Sequence, residues 1–408
     1  MKCVVRYQGD LALLRLEAIH FNHNTNSATG DALNIRLNHL PGTAVQDPEW
    51  REGNETLPVA YAREQVGERV TIKARLHGPP NSTFSVRARD AMDFTSNKRG
   101  FVKWLALMAL RFLRLSCGGV LGEITSSVIN FGFDGDSGRV QVEAQAHRIR
   151  QVGVGIYHVS WVWEYLEGSD WKSFARTEHK IYILLDRPQA PWSNDSSDSG
   201  TDDPSLAWAD ALELACEWAG GATNQDEAAR LITKRLNSNP LLSYAYGPSF
   251  ISAWNSYLLS SFLDCLRTGK PFPVNCDDCA SAVTSLSNLL GGCLREGDIR
   301  PKFDRPTSTF SLKLRRVLKI GRDPQSRGDW LEDAWGRHQV SWWKTVGEND
   351  YVYDGCLQLD ISEGPARDPS PYLAAKMKFG EGRAHGYKHY LLQNDCVLDP
   401  RPLVRPLQ

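Results

Sequence analysis

Apolar and polar residues alternate with a period of two along much of the first half of the chain. Leu33, Ile35 and Leu37 follow this rhythm, as do Val70, Ile72, Ala74 and Leu76, and then Phe84, Val86 and Ala88. Val140, Val142, Ala144 and Ala146 repeat it, followed by Tyr157, Val159, Trp161, Trp163 and Tyr165. A short apolar run, Ile181 to Leu185, precedes Asp186-Arg187-Pro188. Side chains of a strand point alternately to opposite faces, so these segments predict half-buried strands. Gly, Pro, Asn and Asp turns between them point to an antiparallel sandwich or barrel, immunoglobulin-like in character. The apolar stretch Phe101 to Leu115 fits either a buried helix or a doubly buried strand, and its length favours the helix.

The rhythm then breaks. Ser193 to Ser205, SNDSSDSGTDDPS, is acidic and almost free of apolar residues, so it cannot repay the entropy of ordering and reads as a linker. Beyond it the spacing turns helical over Leu206 to Ala219 and Thr223 to Leu236, with Thr223 or Asn224 as cap, and over Phe250 to Leu266. Strand-like alternation returns at His338 to Trp343 and Tyr351 to Leu359. The order predicts an α+β protein: a β-rich domain over 1–192, an acidic linker over 193–205 and an α+β domain over 206–408.

Composition narrows the setting. A chain of 408 residues with 41% hydrophobic content buries a large core. Its 47 Lys and Arg against 48 Asp and Glu give a charge of −1, so no global field calls for nucleic acid or an anionic membrane. The stretch from Trp104 to Leu110, closed by Lys103 and Arg111, falls well short of the roughly 20 apolar residues of a membrane span. The segment Met1 to Tyr7 lacks the apolar run of a secretory signal. Nine cysteines, mostly inside apolar or helical patterns, fit reduced thiols in a cytoplasm better than a disulfide scaffold.

One cysteine stands out. Val274-Asn275-Cys276-Asp277-Asp278-Cys279-Ala280 leads into Ala280, Val283, Leu286, Leu289 and Leu290 at helical spacing, and Gly291-Gly292 ends the run. A cysteine in the first turn of a helix faces unpaired N–H groups and the positive end of the macrodipole, and both favour the thiolate. His338 and Asp354 lie in two short alternating segments joined by the turn signal Gly347-Glu348-Asn349-Asp350. Two adjacent antiparallel strands would let Asp354 accept from one ring nitrogen of His338 and leave the other for Cys276. Nucleophile, base and orienting group then occur in that order.

The residues also carry a resemblance. Cys276, Asp278 and Ala280 match the Cys-x-Asp-x-Ala pattern of the transglutaminase-like branch of the papain-type cysteine enzymes. His338 and Asp354 match the histidine and aspartate of its two strands, and NCDDCA, HQVSW and YDGCLQLD resemble uncharacterised bacterial proteins with this domain. In those proteins the preceding part is similar as well, including Trp161-Val162-Trp163 and His179-Lys180-Ile181-Tyr182. The catalytic resemblance covers roughly the last 200 residues. The chain departs from the family where Asp333-Ala334-Trp335 stands in place of the frequent His-Ala-Trp, which leaves His338 as the histidine before the aspartate strand.

The resemblance implies catalytic Cys276, His338 and Asp354, acyl transfer through a thioester, and a cysteine peptidase acting on a protein or peptide. A transglutaminase or deamidase acting on Gln side chains is the alternative. It implies an oxyanion hole including the Cys276 N–H, with Trp254 as a candidate side-chain donor. No cofactor or metal is required, and the β-rich domain offers a surface for a protein partner.

Plainer readings stand beside this one. Cys276 and Cys279 form a Cys-x-x-Cys. A redox motif would want a βαβ unit, whereas this one follows three helices and precedes an antiparallel pair. A zinc site would need two more ligands, with Cys293 and Cys356 as candidates but no second Cys-x-x-Cys. Cys279 reads most simply as packing, His338 alone as a core histidine, and Asp354 as a turn aspartate bonding its own backbone. A non-catalytic interaction protein accommodates all of these. The basic residues Lys313, Arg315, Arg316, Lys319, Arg322 and Arg327 read as a solvated face or a contact for an acidic partner rather than a nucleic-acid site, and Gly386 weakens His385 and His389 as a helical metal pair.

Overall fold

The structure is a computed structural model. It describes residues 13–21, 32–91, 119–146, 148–192, 205–247, 250–252, 255–302, 311–343, 350–362, 371–380, 386–393, 396–398 and 404–408. The expected helix over Phe101 to Leu115 and nearly all of the expected linker lie outside the described residues, as do Trp254 and His385. The chain divides into two compact units. The first comprises 1–34, 45–152 and 156–183, the second 35–44, 153–155 and 184–408. Residues 184–192 therefore cluster with the second unit.

The described strands of the first unit are β1 (Arg15–His20), β2 (Trp50–Arg51), β3 (Val59–Ala62), β4 (Arg69–His77), β5 (Thr83–Asp90), β6 (Ile124–Asn130), β7 (Asp136–Gln145), β8 (Gly155–Glu167) and β9 (Asp170–Leu184). They join in one nine-stranded sheet of order β2-β1-β4-β7-β6-β5-β8-β9-β3. Alternation left sandwich and barrel both open because it specifies which face of a strand is buried and not which strand lies beside it. The buried face of β4 is Val70, Ile72, Ala74 and Leu76, and that of β8 includes Val159, Trp161 and Trp163. These belong to a single apolar cluster with Phe21, Tyr61, Ile129 and Ile183. The buried indoles keep their polar atoms satisfied: Trp161 Nε1 donates to the Gly122 carbonyl at 2.8 Å and Trp163 Nε1 to Thr177 Oγ1 at 3.2 Å. The alternation at Leu33, Ile35 and Leu37 yields only the two-residue strand Ile35–Arg36, paired in parallel with Ala207–Trp208.

The second unit opens with helices α1 (Ala209–Trp218), α2 (Gln225–Asn237), α3 (Leu259–Thr268) and α4 (Cys276–Leu289). Asn224 caps α2 by accepting from the Glu227 N–H at 2.9 Å. The expected helix from Phe250 begins only at Leu259, because the backbone before it is committed elsewhere. The Phe250 N–H donates to Asp278, Tyr257 exchanges bonds with Pro406 and Gln408, and Asn255 adopts φ +59°. Strands β10 (Arg295–Pro301), β11 (Leu312–Lys319), β12 (Trp330–Trp335), β13 (His338–Trp343), β14 (Tyr351–Asp360), β15 (Pro371–Lys378) and β16 (Cys396–Leu398) form a seven-stranded sheet. Its order is β12-β11-β14-β13-β10-β16, with β15 on the other edge of β14, and a short helix α5 (Tyr387–Leu391) follows β15. The overall class is α+β. Among the described residues no helix is long and apolar enough to cross a membrane.

Helix α4 is the centre of this unit and is buried from Asp278 to Leu289. Its polar side chains are matched rather than exposed. Thr284 donates to Ser341 at 2.9 Å, Ser341 to the Ala280 carbonyl at 2.7 Å, and Asn288 bonds Ala190 and Leu294. The helix stops at Gly291, which has φ +93° and would place a Cβ 2.7 Å from the Asp186 backbone nitrogen. Both conditions exclude other residues, so Gly291→Ala is expected to destabilise the protein by about 2 kcal/mol or more, read from denaturant unfolding.

Candidate active site

The start of α4 is held by a reciprocal cap. Asn275 Oδ1 accepts from the Asp278 N–H at 3.0 Å, and Asp278 Oδ2 accepts from the Asn275 N–H at 2.9 Å. The other Asp278 oxygen accepts from the Phe250 N–H at 2.7 Å. This buried carboxylate therefore fixes both the helix start and the approach of the preceding loop. Cys276 is the first helical residue, where the helix supplies no acceptor for its own N–H. It is 9% exposed and opens on a cleft of about 370 Å³ lined by Tyr244, Tyr246, Asn275, Trp335 and Arg337.

His338 begins β13 and Asp354 lies on β14, both fully buried. His338 Nε2 is 2.9 Å from Asp354 Oδ2. The other ring nitrogen, Nδ1, is buried and makes no hydrogen bond of normal geometry to a protein atom, and Cys276 is the thiol whose hydrogen bonding and charge act on the ring. Burial alone would lower the His338 pKa. The Asp354 charge and hydrogen bond, with the contribution of Cys276, outweigh it and push the value up to about 10. An imidazolium beside a buried carboxylate is the state this environment favours at neutral pH.

That shift carries a stability signature. An unfolded histidine titrates near 6.5, below the folded value. The pair therefore stabilises the fold fully below about pH 6.5, and the contribution is lost as pH rises through about 10. Melting temperatures of wild type and Asp354→Asn should differ most at low pH within this window, and the difference should narrow as pH rises.

Asp354 does two jobs. Antiparallel partner β13 covers Tyr351 to Val352 and Tyr353, whereas β11 covers Leu357 to Leu359 along the same strand. Asp354 sits where β14 passes from one to the other, and its Oδ1 accepts from the N–H groups of Cys356 at 2.8 Å and Leu357 at 3.2 Å. Its Oδ2 takes both His338 and the Tyr387 hydroxyl, the latter at 2.6 Å. The turn aspartate bonding its own backbone and the aspartate orienting a histidine are thus the same residue using different oxygens.

Cys279 lies one turn behind Cys276 and is 2% exposed. A hydrogen bond with Cys356 favours its thiolate, but burial and the charges of Asp278 and Asp354 push its pKa up, and burial raises Cys356 further still. Both are packing thiols in this setting. The seven cysteines among the described residues are all free. Among those residues no group of three or more His, Cys, Asp or Glu side chains is arranged to hold a metal ion. His389, on α5, is exposed.

The cleft wall is aromatic. Tyr244 and Trp335 stack with centroids 5.3 Å apart and 10° between planes, and Tyr246 meets both edge-on. Tyr246 is 66% exposed, so burial does not hold it; its hydroxyl donates to Asp333 at 2.6 Å. Lys319 bridges Asp333 at 2.7 Å and lies about 5 Å from all three rings, at 5.0, 4.8 and 5.5 Å. Burial opposes ionisation of Asp333, but bonds from Lys319, Tyr246 and Trp335 hold it well below the usual carboxylate range. The Trp335 ring lies 5.2 Å from that of His338. Asp333 thus braces the cleft wall. Lys319, read as part of a solvated basic face, packs against the three rings of that wall.

Sequence reasoning missed Tyr244, Tyr246, Tyr387 and Arg405. Tyr244-Ala245-Tyr246 carried a usable signal, two aromatics two apart beside a Gly. Tyr387 and Arg405 carried none, being single residues far along the chain from the groups they touch.

No family model matches the chain, and no curated protein matches it in sequence. Among solved structures, the chain is similar to the crystal structure of red sea bream transglutaminase, with a TM-score of 0.36 and 12% identity, covering 75% of this chain and 50% of that one. The chain thus spans half the length of that transglutaminase.

Proposed function

We propose that this protein carries out thiol-dependent chemistry at amide bonds and acts as a cysteine peptidase. The observation that carries the reading is Cys276 at a capped helix start, open to a cleft, beside a buried His338 whose Nε2 is bonded to Asp354 at 2.9 Å. The Cys276 thiolate attacks an amide carbonyl carbon and forms a C–S bond. Charge on the carbonyl oxygen is met by the backbone N–H of Cys276. As the C–N bond breaks, His338 Nδ1 gives its proton to the leaving amine, and the acyl group remains as a thioester. Water then attacks, passing a proton back to Nδ1 and releasing a carboxylic acid and the thiolate. An amine in place of water would make the same intermediate a transamidase, and a Gln side chain as donor would make it a deamidase.

The first unit, if its curled sheet works as a sandwich-like module, is the surface on which a protein partner would dock. The test is acyl-acceptor profiling of wild type and Cys276→Ala against a peptide library, with and without an added primary amine. Hydrolysis that depends on Cys276 supports the peptidase reading, and amine incorporation in preference to hydrolysis replaces it with transamidation. Absence of any Cys276-dependent product would leave an interaction scaffold.

A further inference from the structure

The first turns of α4 and the strand bearing His338 are joined by a buried guanidinium that the triad does not include. Arg405 is 4% exposed and reaches three elements and the loop before α3 at once. Its Nε donates to Asn255 Oδ1 at 3.0 Å, Nη1 to Ser281 Oγ at 3.1 Å and to Glu296 Oε2, and Nη2 to Gln339 Oε1 at 3.1 Å. Nη2 also faces Asp277 Oδ1 at 3.9 Å. Ser281 and Gln339 each bond Glu296 in turn, so the group is closed on itself. The backbone carrying Arg405 is anchored by bonds between Tyr257 and both Pro406 and Gln408.

What these contacts flank gives them meaning. Asp277 follows Cys276 in sequence, and Gln339 follows His338. Arg337 immediately precedes β13, and Gln339 is the second residue of that strand. Arg337 binds Asp277 Oδ2 at 2.9 Å, while Gln339 is tied through Arg405 to Ser281, one turn further along α4. The residues on either side of His338 are therefore both fastened to the helix that presents Cys276. The charges around this point are Asp277, Asp278, Glu296 and Asp298 on one side and Arg337 and Arg405 on the other, with Tyr244 across the cleft.

We propose that Arg405 is a positioning residue of the nucleophile, a clamp that keeps Cys276 and His338 in working register. The inference rests on the acyl-transfer reading above, and its test needs no substrate. Alkylation of Cys276 by iodoacetamide near pH 6.5 is followed by peptide mass mapping, in wild type, Arg405→Gln, Gln339→Met, His338→Ala and the Arg405→Gln/His338→Ala double variant, each checked for a cooperative melt. Arg405→Gln and Gln339→Met are expected to lower the rate about tenfold, and His338→Ala to cost about tenfold in wild type but little in the Arg405→Gln background. A merely structural residue would lower the melting temperature and leave the dependence on His338 intact. Wild-type alkylation rates in the folded variants, or an undiminished His338→Ala effect beside Arg405→Gln, overturn the clamp alone. Should Arg405→Gln not fold, Gln339→Met decides by its rate. If His338→Ala leaves wild-type alkylation unchanged, the acyl-transfer reading fails and takes the clamp with it.

Discussion

Cys276→Ala is expected to lower turnover of an amide substrate by about 10⁴-fold or more, with little effect on the melting temperature. The asymmetry follows from where the side chain stands. Cys276 opens on the cleft at the first position of α4, while the cap that starts the helix is made by Asn275 and Asp278. Removing the sulfur therefore takes away the proposed attacking atom and leaves the reciprocal cap untouched. No other group replaces it, since Cys279 is buried behind it with its thiol pKa raised. Single-turnover assays with an activated ester or peptide library, read beside thermal melts, check both halves. A variant that keeps more than about 1% of wild-type turnover would mean that the chemistry lies elsewhere.

Asp354→Asn is expected to cost about 10³- to 10⁴-fold in kcat/KM, and unlike the first substitution it also lowers stability. The amide has one oxygen and one NH₂ where the carboxylate accepts four hydrogen bonds. If the oxygen stays with the Cys356 and Leu357 N–H groups, the NH₂ meets His338 Nε2 and turns it into an acceptor, placing the ring proton on Nδ1. That neutral tautomer cannot take a proton from the thiol. If the amide flips, two buried N–H groups of β14 face a donor. Tyr387→Phe removes one bond to the same oxygen without changing the tautomer, so a loss smaller by at least about tenfold is expected. Rates and melts measured together on the two variants separate the effects. Equal losses would show that tautomer control is not the reason Asp354 matters.

Much of the second unit could be read before it was seen because its signals are local. The helix start at Cys276, the glycine stop after α4, and the strands bearing His338 and Asp354 each follow from neighbouring residues. The order of the three groups in the chain supplied the rest. Where the reading fell short, the cause is tertiary. Phe250 to Leu258 has helical composition, but the backbone groups of Phe250 and Tyr257 are taken by Asp278, Pro406 and Gln408 from distant positions. Strand β11 was obscured because a bulge between Leu314 and Val317 shifts the alternation around Arg315 and Arg316. Tyr387 lies 33 residues from Asp354, and Arg405 lies 124 from Ser281, so no spacing rule connects them. Pattern reveals which side of an element is buried, and it leaves open which remote side chain completes a buried polar group.

The crossing of β14 from β13 to β11 has a consequence for how related chains should be compared. Asp354 fills the break between the two ladders, so a relative that lost all chemistry would still need a carboxylate there to keep its sheet. Retention of that aspartate is then a record of folding and says little about turnover. Cys276 is under no such obligation, because the cap beside it starts the helix without help from the sulfur. On the proposed acyl-transfer reading, the position expected to separate working copies from silent ones across homologues is the cysteine.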